Sequence, residues 1–274
     1  MPSLPLILEP DELEAHLSDP GLLIVDLCKP DLYPRAHVPG AIHLDYRRLV
    51  ERRGHAGGLL PDAAALSELL SSLGITPQRH VCAYDDEGGG RASRLLWTLD
   101  VVGHENFSLL NGGFLAWYNE GHPVESQPHE AQPATYPVAA VRRGLADCEY
   151  VLSHFADPHV KILDARSRNE YLGLTRFSAR NGHIPGAVNL EWTFAMDPAQ
   201  HLRLKPLPLL RQILEASDIT PDKEVIVHCQ THHRSAHTYI MLKALGYPQI
   251  KGYAGSWSEW GNRDDTPIET DEGP

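Results

Sequence analysis

The chain runs through one series of segments twice, and this internal repeat limits its architecture more than any other feature. The first half carries LLIVDL at 22–27, an aromatic segment around Tyr33, and HVPGAI at 37–42; the second carries KILDAR at 161–166, a segment around Tyr171, and HIPGAV at 183–188. Further on, HVCAYD at 80–85 matches EVIVHC at 224–229, and LLNGGFLAW ending at Trp117 matches KGYAGSWSEW ending at Trp260. So many matches in one order mean a duplicated unit, so whatever fold the repeat takes must be built twice.

Between the halves, Pro123, Pro128, Pro133 and Pro137 interrupt a polar stretch with neither helical nor strand period, the composition of a semi-rigid linker. The expected division is a first domain over 1–124, a linker over 125–145 and a second domain over 146–274. Within each half, short apolar runs rich in β-branched residues alternate with helical patterns such as PDAAALSELLSSLG at 61–74 and SAHTYIMLKALG at 235–246. That alternation predicts an α/β fold with a parallel sheet flanked by helices in each half. Asp62 is expected in the first turn of its helix, and Gly74, Gly103 and Gly246 are expected as helix stops.

Composition removes several function classes. With 24 Lys and Arg against 36 Asp and Glu, the net charge of −12 repels nucleic acid and anionic membrane surfaces. No apolar run approaches the ~18 to 20 residues of a membrane span, and the N-terminal segment has no basic n-region. Cys28, Cys82, Cys148 and Cys229 show no CxxC spacing, which points to free thiols in a reducing cytoplasm.

Open parallel sheets bind ligands at the carboxyl ends of their strands, where loops run into helix N-termini. The loop Cys229-Gln230-Thr231-His232-His233-Arg234-Ser235 holds that position. A cysteine there is placed to be a thiolate, because the helix dipole, converging amides and a nearby guanidinium all favour the charged form. Four residues separate Cys229 from Arg234, a tight curl that suits a small anion or a persulfide. The loop of cysteine-dependent phosphatases is one residue longer, which argues against a phosphatase or arsenate reductase. Cys229 is therefore the candidate nucleophile, with Arg234, Gln230, Thr231, His232 and His233 as candidate substrate-binding residues. The two histidines are expected to add positive potential at the pocket mouth rather than to hold a metal. Cys28, Cys82 and Cys148 lack a basic loop and are expected to be structural. The first-half counterpart, Asp85-Asp86-Glu87-Gly88-Gly89-Gly90-Arg91, keeps a glycine-rich turn and an arginine but has Asp85 where Cys229 falls, so that half is expected to be catalytically silent.

With HVPGA and HIPGA, Asp164-Ala165-Arg166, the CQTHHRS loop and the GYAGSW segment at 252–257 in place, the chain resembles a tandem-domain rhodanese, a thiosulfate sulfurtransferase of the bacterial Azotobacter and Pseudomonas type. The resemblance implies two rhodanese-like domains, each a five-stranded parallel sheet flanked by helices, with the catalytic cysteine in the second only. It departs from the animal enzymes at Glu170, where they have arginine, and at Thr231, where they have lysine. The implied reaction passes sulfane sulfur from thiosulfate through a Cys229 persulfide to cyanide or a thiol, with no metal or organic cofactor. A thiol reductant or a cysteine desulfurase is a further candidate partner. Mercaptopyruvate sulfurtransferase and a persulfide carrier fed by a desulfurase are the competing functions.

Overall fold

The computed structural model describes residues 4–138 and 143–270. Along the chain the strands are β1 (Ile7–Leu8), β2 (Leu22–Asp26), β3 (Ile42–His43), β4 (Glu51–Arg53), β5 (Ala56–Leu59), β6 (His80–Tyr84), β7 (Phe107–Leu110), β8 (Leu145–Ala146), β9 (Val160–Asp164), β10 (Val188–Asn189), β11 (Met196–Asp197), β12 (Arg203–Leu204), β13 (Glu224–His228) and β14 (Ile250–Tyr253). The helices are α1 (Pro10–Ala15), α2 (Ala63–Ser72), α3 (Gly90–Val101), α4 (Gly113–Asn119), α5 (Cys148–His154), α6 (Arg168–Tyr171), α7 (Leu207–Ala216), α8 (Arg234–Ala244) and α9 (Ser256–Trp260).

Each repeat builds a five-stranded parallel sheet in the same strand order. The first is β1-β7-β6-β2-β3, and the second, taken from its first strand, is β8-β14-β13-β9-β10. Strands β2 and β6 are buried along their whole length, as strands covered on both faces are, which is why their sequences are continuous apolar runs without alternation. Leu8, Ile24, Cys82, Tyr84 and Trp117 pack in one core, and Ile162, Ile226, Tyr253, Trp257 and Trp260 in the other. The tryptophan that closes each repeat is fully buried and donates its indole N–H to a carbonyl just beyond: Trp117 to Pro123 at 2.7 Å and Trp260 to Pro267 at 2.8 Å. The aromatic mass is thereby buried without leaving the donor unpaired.

The expected helix stops are in place: Gly74, Gly103 and Gly246 have φ of +72°, +84° and +79° beyond α2, α3 and α8. Asp62 stands one position earlier than expected. It is the N-cap of α2 rather than a first-turn residue, and its carboxylate accepts from Ala65 N at 2.9 Å. Among the described residues, no helix is long and apolar enough to cross a membrane.

Contacts divide the chain into two compact units that are not contiguous in sequence. Unit 1 comprises Met1–Leu49, Pro61–Arg143 and Met196–Leu204; unit 2 comprises Val50–Leu60, Gly144–Ala195 and Lys205–Pro274. Residues 126–138 have no regular secondary structure, whereas Leu145, at the end of the expected linker, already lies in β8; residues 139–142 fall outside the described residues. The antiparallel hairpin β4–β5 thus packs in unit 2, where Gly57 N donates to Ser258 Oγ of α9 at 3.0 Å. The hairpin β11–β12 packs in unit 1, where Leu204 N donates to Asn111 Oδ1 at 2.8 Å.

One glycine makes the first of these packings possible. A Cβ on Gly58 would lie 2.0 Å from the carbonyl oxygen of Thr231 and 2.8 Å from that of Ala254, both backbone atoms that cannot swing away. We predict that Gly58→Ala destabilises the fold by ~1–3 kcal/mol, the usual penalty of overpacking. Equilibrium denaturation checks this, and an unchanged midpoint would contradict the close approach.

Candidate active site

Strand β13 ends at His228, and the next residue, Cys229, is almost wholly buried. From there the chain turns into α8 through Gln230, Thr231, His232 and His233, with His232 in the left-handed region at φ 52°. This turn is pinned to the end of β14 and the first turn of α9. The N–H groups of Cys229 and His232 both donate to Ser256 Oγ, at 3.3 and 3.0 Å, while that hydroxyl donates to the Tyr253 carbonyl at 2.7 Å. In return, Trp257 N donates to the Cys229 carbonyl and Ser258 N to the Gln230 carbonyl, both at 2.9 Å. These bonds fix the loop's shape before any ligand arrives.

The four cysteines, all free and buried, fall into two electrostatic classes. Burial raises Cys82 to about 12 and Cys148 to about 11, and it raises Cys28 further with help from Asp26, Asp85 and Asp86. Burial also works to raise Cys229. The Arg234 guanidinium, the Ser235 hydroxyl and the backbone N–H groups of Ser235 and Thr231 act against it and prevail, so this thiol alone is lowered below its ordinary value. The buried Cys229 sulfur thus has a positive charge and converging donors around it.

Arg234 is itself held by a residue that the sequence did not single out as a partner. Its Nη1 and Nη2 donate to the two oxygens of Glu170 at 2.7 and 2.8 Å, a bidentate pair. Burial disfavours the charge on Glu170, but its bonds from Arg234 and Ser167 outweigh this and keep the carboxyl below the ordinary range. Glu170 is aimed by a capping box at the start of α6, in which Ser167 N–H donates to Glu170 Oε2 at 3.1 Å. The S-x-x-E spacing of that box is legible in the sequence, but its connection to Arg234, 64 residues on, is not. A second ion pair lies at the end of the neighbouring strand β9. Arg166 donates Nε and Nη2 to the fully buried Asp164, at 3.0 and 2.6 Å, and stacks over the Trp257 ring at 4.3 Å. His228 Nε2 lies 3.5 Å from the same aspartate, so β9, β13 and α9 are joined at the carboxyl end of the sheet.

The other expected site residues are placed as follows. Thr231 lies under Gly58 of β5, and Gln230 Nε2 donates to Ser178 Oγ at 3.3 Å. The histidines do not form the expected pair of charges at a mouth. His232 is fully buried with Nδ1 2.8 Å from Ser235 Oγ, whereas His233 is half-buried against the Trp192 ring at 5.8 Å. The left-handed turn at His232 carries that side chain inward.

The first-half loop shows what the same cradle does with a carboxylate. Asp85 follows β6 as Cys229 follows β13, and its carbonyl accepts from Phe114 N at 2.9 Å as that of Cys229 does from Trp257. The side chain of Asp85 folds back into its own loop, accepting from the N–H groups of Glu87 at 2.9 Å, Gly89 at 2.8 Å and Ala92 at 2.9 Å. Burial and the neighbouring Glu87 push its carboxyl above the ordinary range. The arginine is not retained at an equivalent place. Gly90 opens α3 as Arg234 opens α8, and Arg91, one residue later, is bound to Asp86 at 2.6 Å and Glu87 at 2.9 Å.

The Rhodanese-like domain family matches residues 9–120 and 147–263. The chain is 45% identical to a thiosulfate sulfurtransferase of Pseudomonas aeruginosa, over 97% of each chain. It is 47% identical to one of Azotobacter vinelandii, over 97% of this chain and 98% of the relative. Among solved structures, EanB in complex with ergothioneine superposes with a TM-score of 0.87 at 20% identity, covering 97% of this chain and 70% of that one, a likeness of fold alone. With the repeat, the paired sheets and the matched residues in both halves, the chain belongs to the rhodanese family.

Proposed function

We propose that this chain is a thiosulfate sulfurtransferase that carries sulfane sulfur on Cys229. The observation that carries the proposal is the contrast among its buried thiols: Cys229 alone is lowered, by Arg234 and the amides of a loop at a strand end. Its resemblance to relatives named thiosulfate sulfurtransferase supports the choice of donor.

In the proposed reaction, the Cys229 thiolate attacks the outer sulfur of thiosulfate, the sulfur–sulfur bond of the donor breaks, and sulfite leaves with the electron pair. The persulfide then gives its terminal sulfur to cyanide or a thiol, regenerating the thiolate. The N–H groups of Thr231 and Ser235 and the charge of Arg234, which act on the Cys229 sulfur, hold negative charge on the persulfide. Gln230 lies within this loop, and His233 supplies a half-buried imidazole. His232, being buried, shapes the loop. The Asp85 loop is proposed to be silent, since a carboxylate fills its cradle, and the neighbouring Cys28 thiol is raised by its burial and further by Asp26, Asp85 and Asp86. Four free cysteines suit a cytoplasmic setting, where a cysteine desulfurase or a thiol reductant are candidate partners.

Thiosulfate treatment should add one sulfur atom to the intact mass of the wild type and none to Cys229→Ala. Persistence of the added mass in the variant would move the sulfur to another residue. We also predict a preference for thiosulfate over 3-mercaptopyruvate, because a dianion gains more than a monoanion from Arg234 and the loop amides. Measuring kcat/KM for both donors with one acceptor decides it, and higher efficiency with mercaptopyruvate would reverse the assignment.

A further inference from the structure

A cluster of a different kind surrounds the HVPGA segment of unit 1. His37 is fully buried, and its Nδ1 lies 2.7 Å from the carbonyl oxygen of Tyr33. A carbonyl only accepts, so Nδ1 carries hydrogen, and in the neutral ring Nε2 keeps its lone pair. That Nε2 is buried with no hydrogen-bond partner and faces Glu125 Oε1 at 3.7 Å. A buried lone pair turned toward a part-exposed carboxylate is stabilised by a cation between them. His129 brings a third donor atom: its Nε2 is 2.6 Å from the same carboxylate oxygen, and one ligand atom from each of the three residues lies within 4.8 Å of the other two.

The surrounding bonds hold these groups in place. The Tyr33 ring stacks on His37 at 4.0 Å, and its hydroxyl donates to the Ala41 carbonyl at 2.7 Å and accepts from the His129 backbone N–H at 3.0 Å. Gly40 N–H donates to Glu125, and His37 pairs with Glu125 through an antiparallel bridge. An imidazole oriented by a carbonyl on its far nitrogen is the arrangement that fixes the tautomer of a metal ligand.

Unit 2 offers an internal comparison. His183 Nδ1 lies 3.0 Å from the Tyr171 carbonyl, its Nε2 lies 3.8 Å from Glu269 Oε2, and Gly186 N donates to that carboxylate at 3.0 Å. The histidine–glutamate pair therefore belongs to the repeat. Among the described residues, a cluster of three such donors forms only in unit 1, where His129 is added.

We propose that His37, Glu125 and His129 form a binding site for a divalent transition metal of the zinc class, with three protein ligands and a fourth position open to solvent. Two imidazoles and a carboxylate suit such an ion, and ligand atoms on a tetrahedral zinc with bonds of ~2.0–2.1 Å stand roughly 3.3 Å apart, within the spread found here. The ion would tie the segment bearing Glu125 and His129 to the HVPGA turn and take no part in sulfur transfer.

The test uses the full chain with Zn²⁺ in equilibrium dialysis and Co²⁺ as a spectroscopic probe. One equivalent of Zn²⁺ should bind, and Co²⁺ should give visible ligand-field bands without the near-ultraviolet charge-transfer band of a cysteine ligand. His129→Ala, a change at an exposed ring, should weaken Zn²⁺ binding at least ~tenfold, while Glu269→Gln should leave it unchanged. Failure to take up Zn²⁺, a thiolate band with Co²⁺, or wild-type affinity in His129→Ala would each overturn the site.

Discussion

Where a parallel strand runs into a helix, several backbone N–H groups point at one spot with no carbonyl to receive them, and the spot is stabilised by negative charge. Both repeats make this junction, after β6 and after β13, and they fill it differently. Unit 1 satisfies it permanently with the carboxylate of Asp85, which accepts from the amides of Glu87, Gly89 and Ala92. Unit 2 places a thiol there, and Arg234, the Ser235 hydroxyl and the N–H groups of Ser235 and Thr231 together outweigh burial and lower Cys229. The two junctions differ in the side chain that follows the strand and in the arginine, which opens α8 as Arg234 but lies one residue inside α3 as Arg91, bound to Asp86 and Glu87.

The junction of unit 2, proposed to be the reactive one, needs its cation held in place. Arg234 lies within a buried environment where an unpaired charge would be costly, and Glu170 offsets that cost by binding both ends of the guanidinium. The pair also takes up much of Arg234's hydrogen-bonding capacity, so the arginine acts on the sulfur chiefly through its field. Ser256 plays the complementary part for the backbone, gathering two loop amides on one hydroxyl. Behind these, the Asp164–Arg166 pair over Trp257 fixes the sheet end from which the loop springs.

What the sequence disclosed was local. The repeat, the parallel strands, the helix stops at Gly74, Gly103 and Gly246 and a cysteine at a strand end all follow from periodicity, spacing and the order of short segments. What it did not disclose depends on long-range contact. The S-x-x-E capping box announces where α6 begins but not that Glu170 meets Arg234. The adjacent histidines looked alike until the left-handed turn at His232 sent one ring inward and left the other at the surface. The offset of Arg91 from Arg234 is countable in the sequence, but that Arg91 is taken up by Asp86 and Glu87 is not. The packing of β4–β5 in unit 2 left only a weak trace, the pair of glycines at 57 and 58, whose lack of side chains reads equally well as a turn.

The central claim is that the junction after β13 ionises a buried thiol. A difference titration of ultraviolet thiolate absorbance between the wild type and Cys229→Ser isolates this one group. The account predicts an inflection below the ~8.5 of an unperturbed thiol; an inflection at or above that value would show that burial wins over Arg234 and the loop amides, and would contradict it.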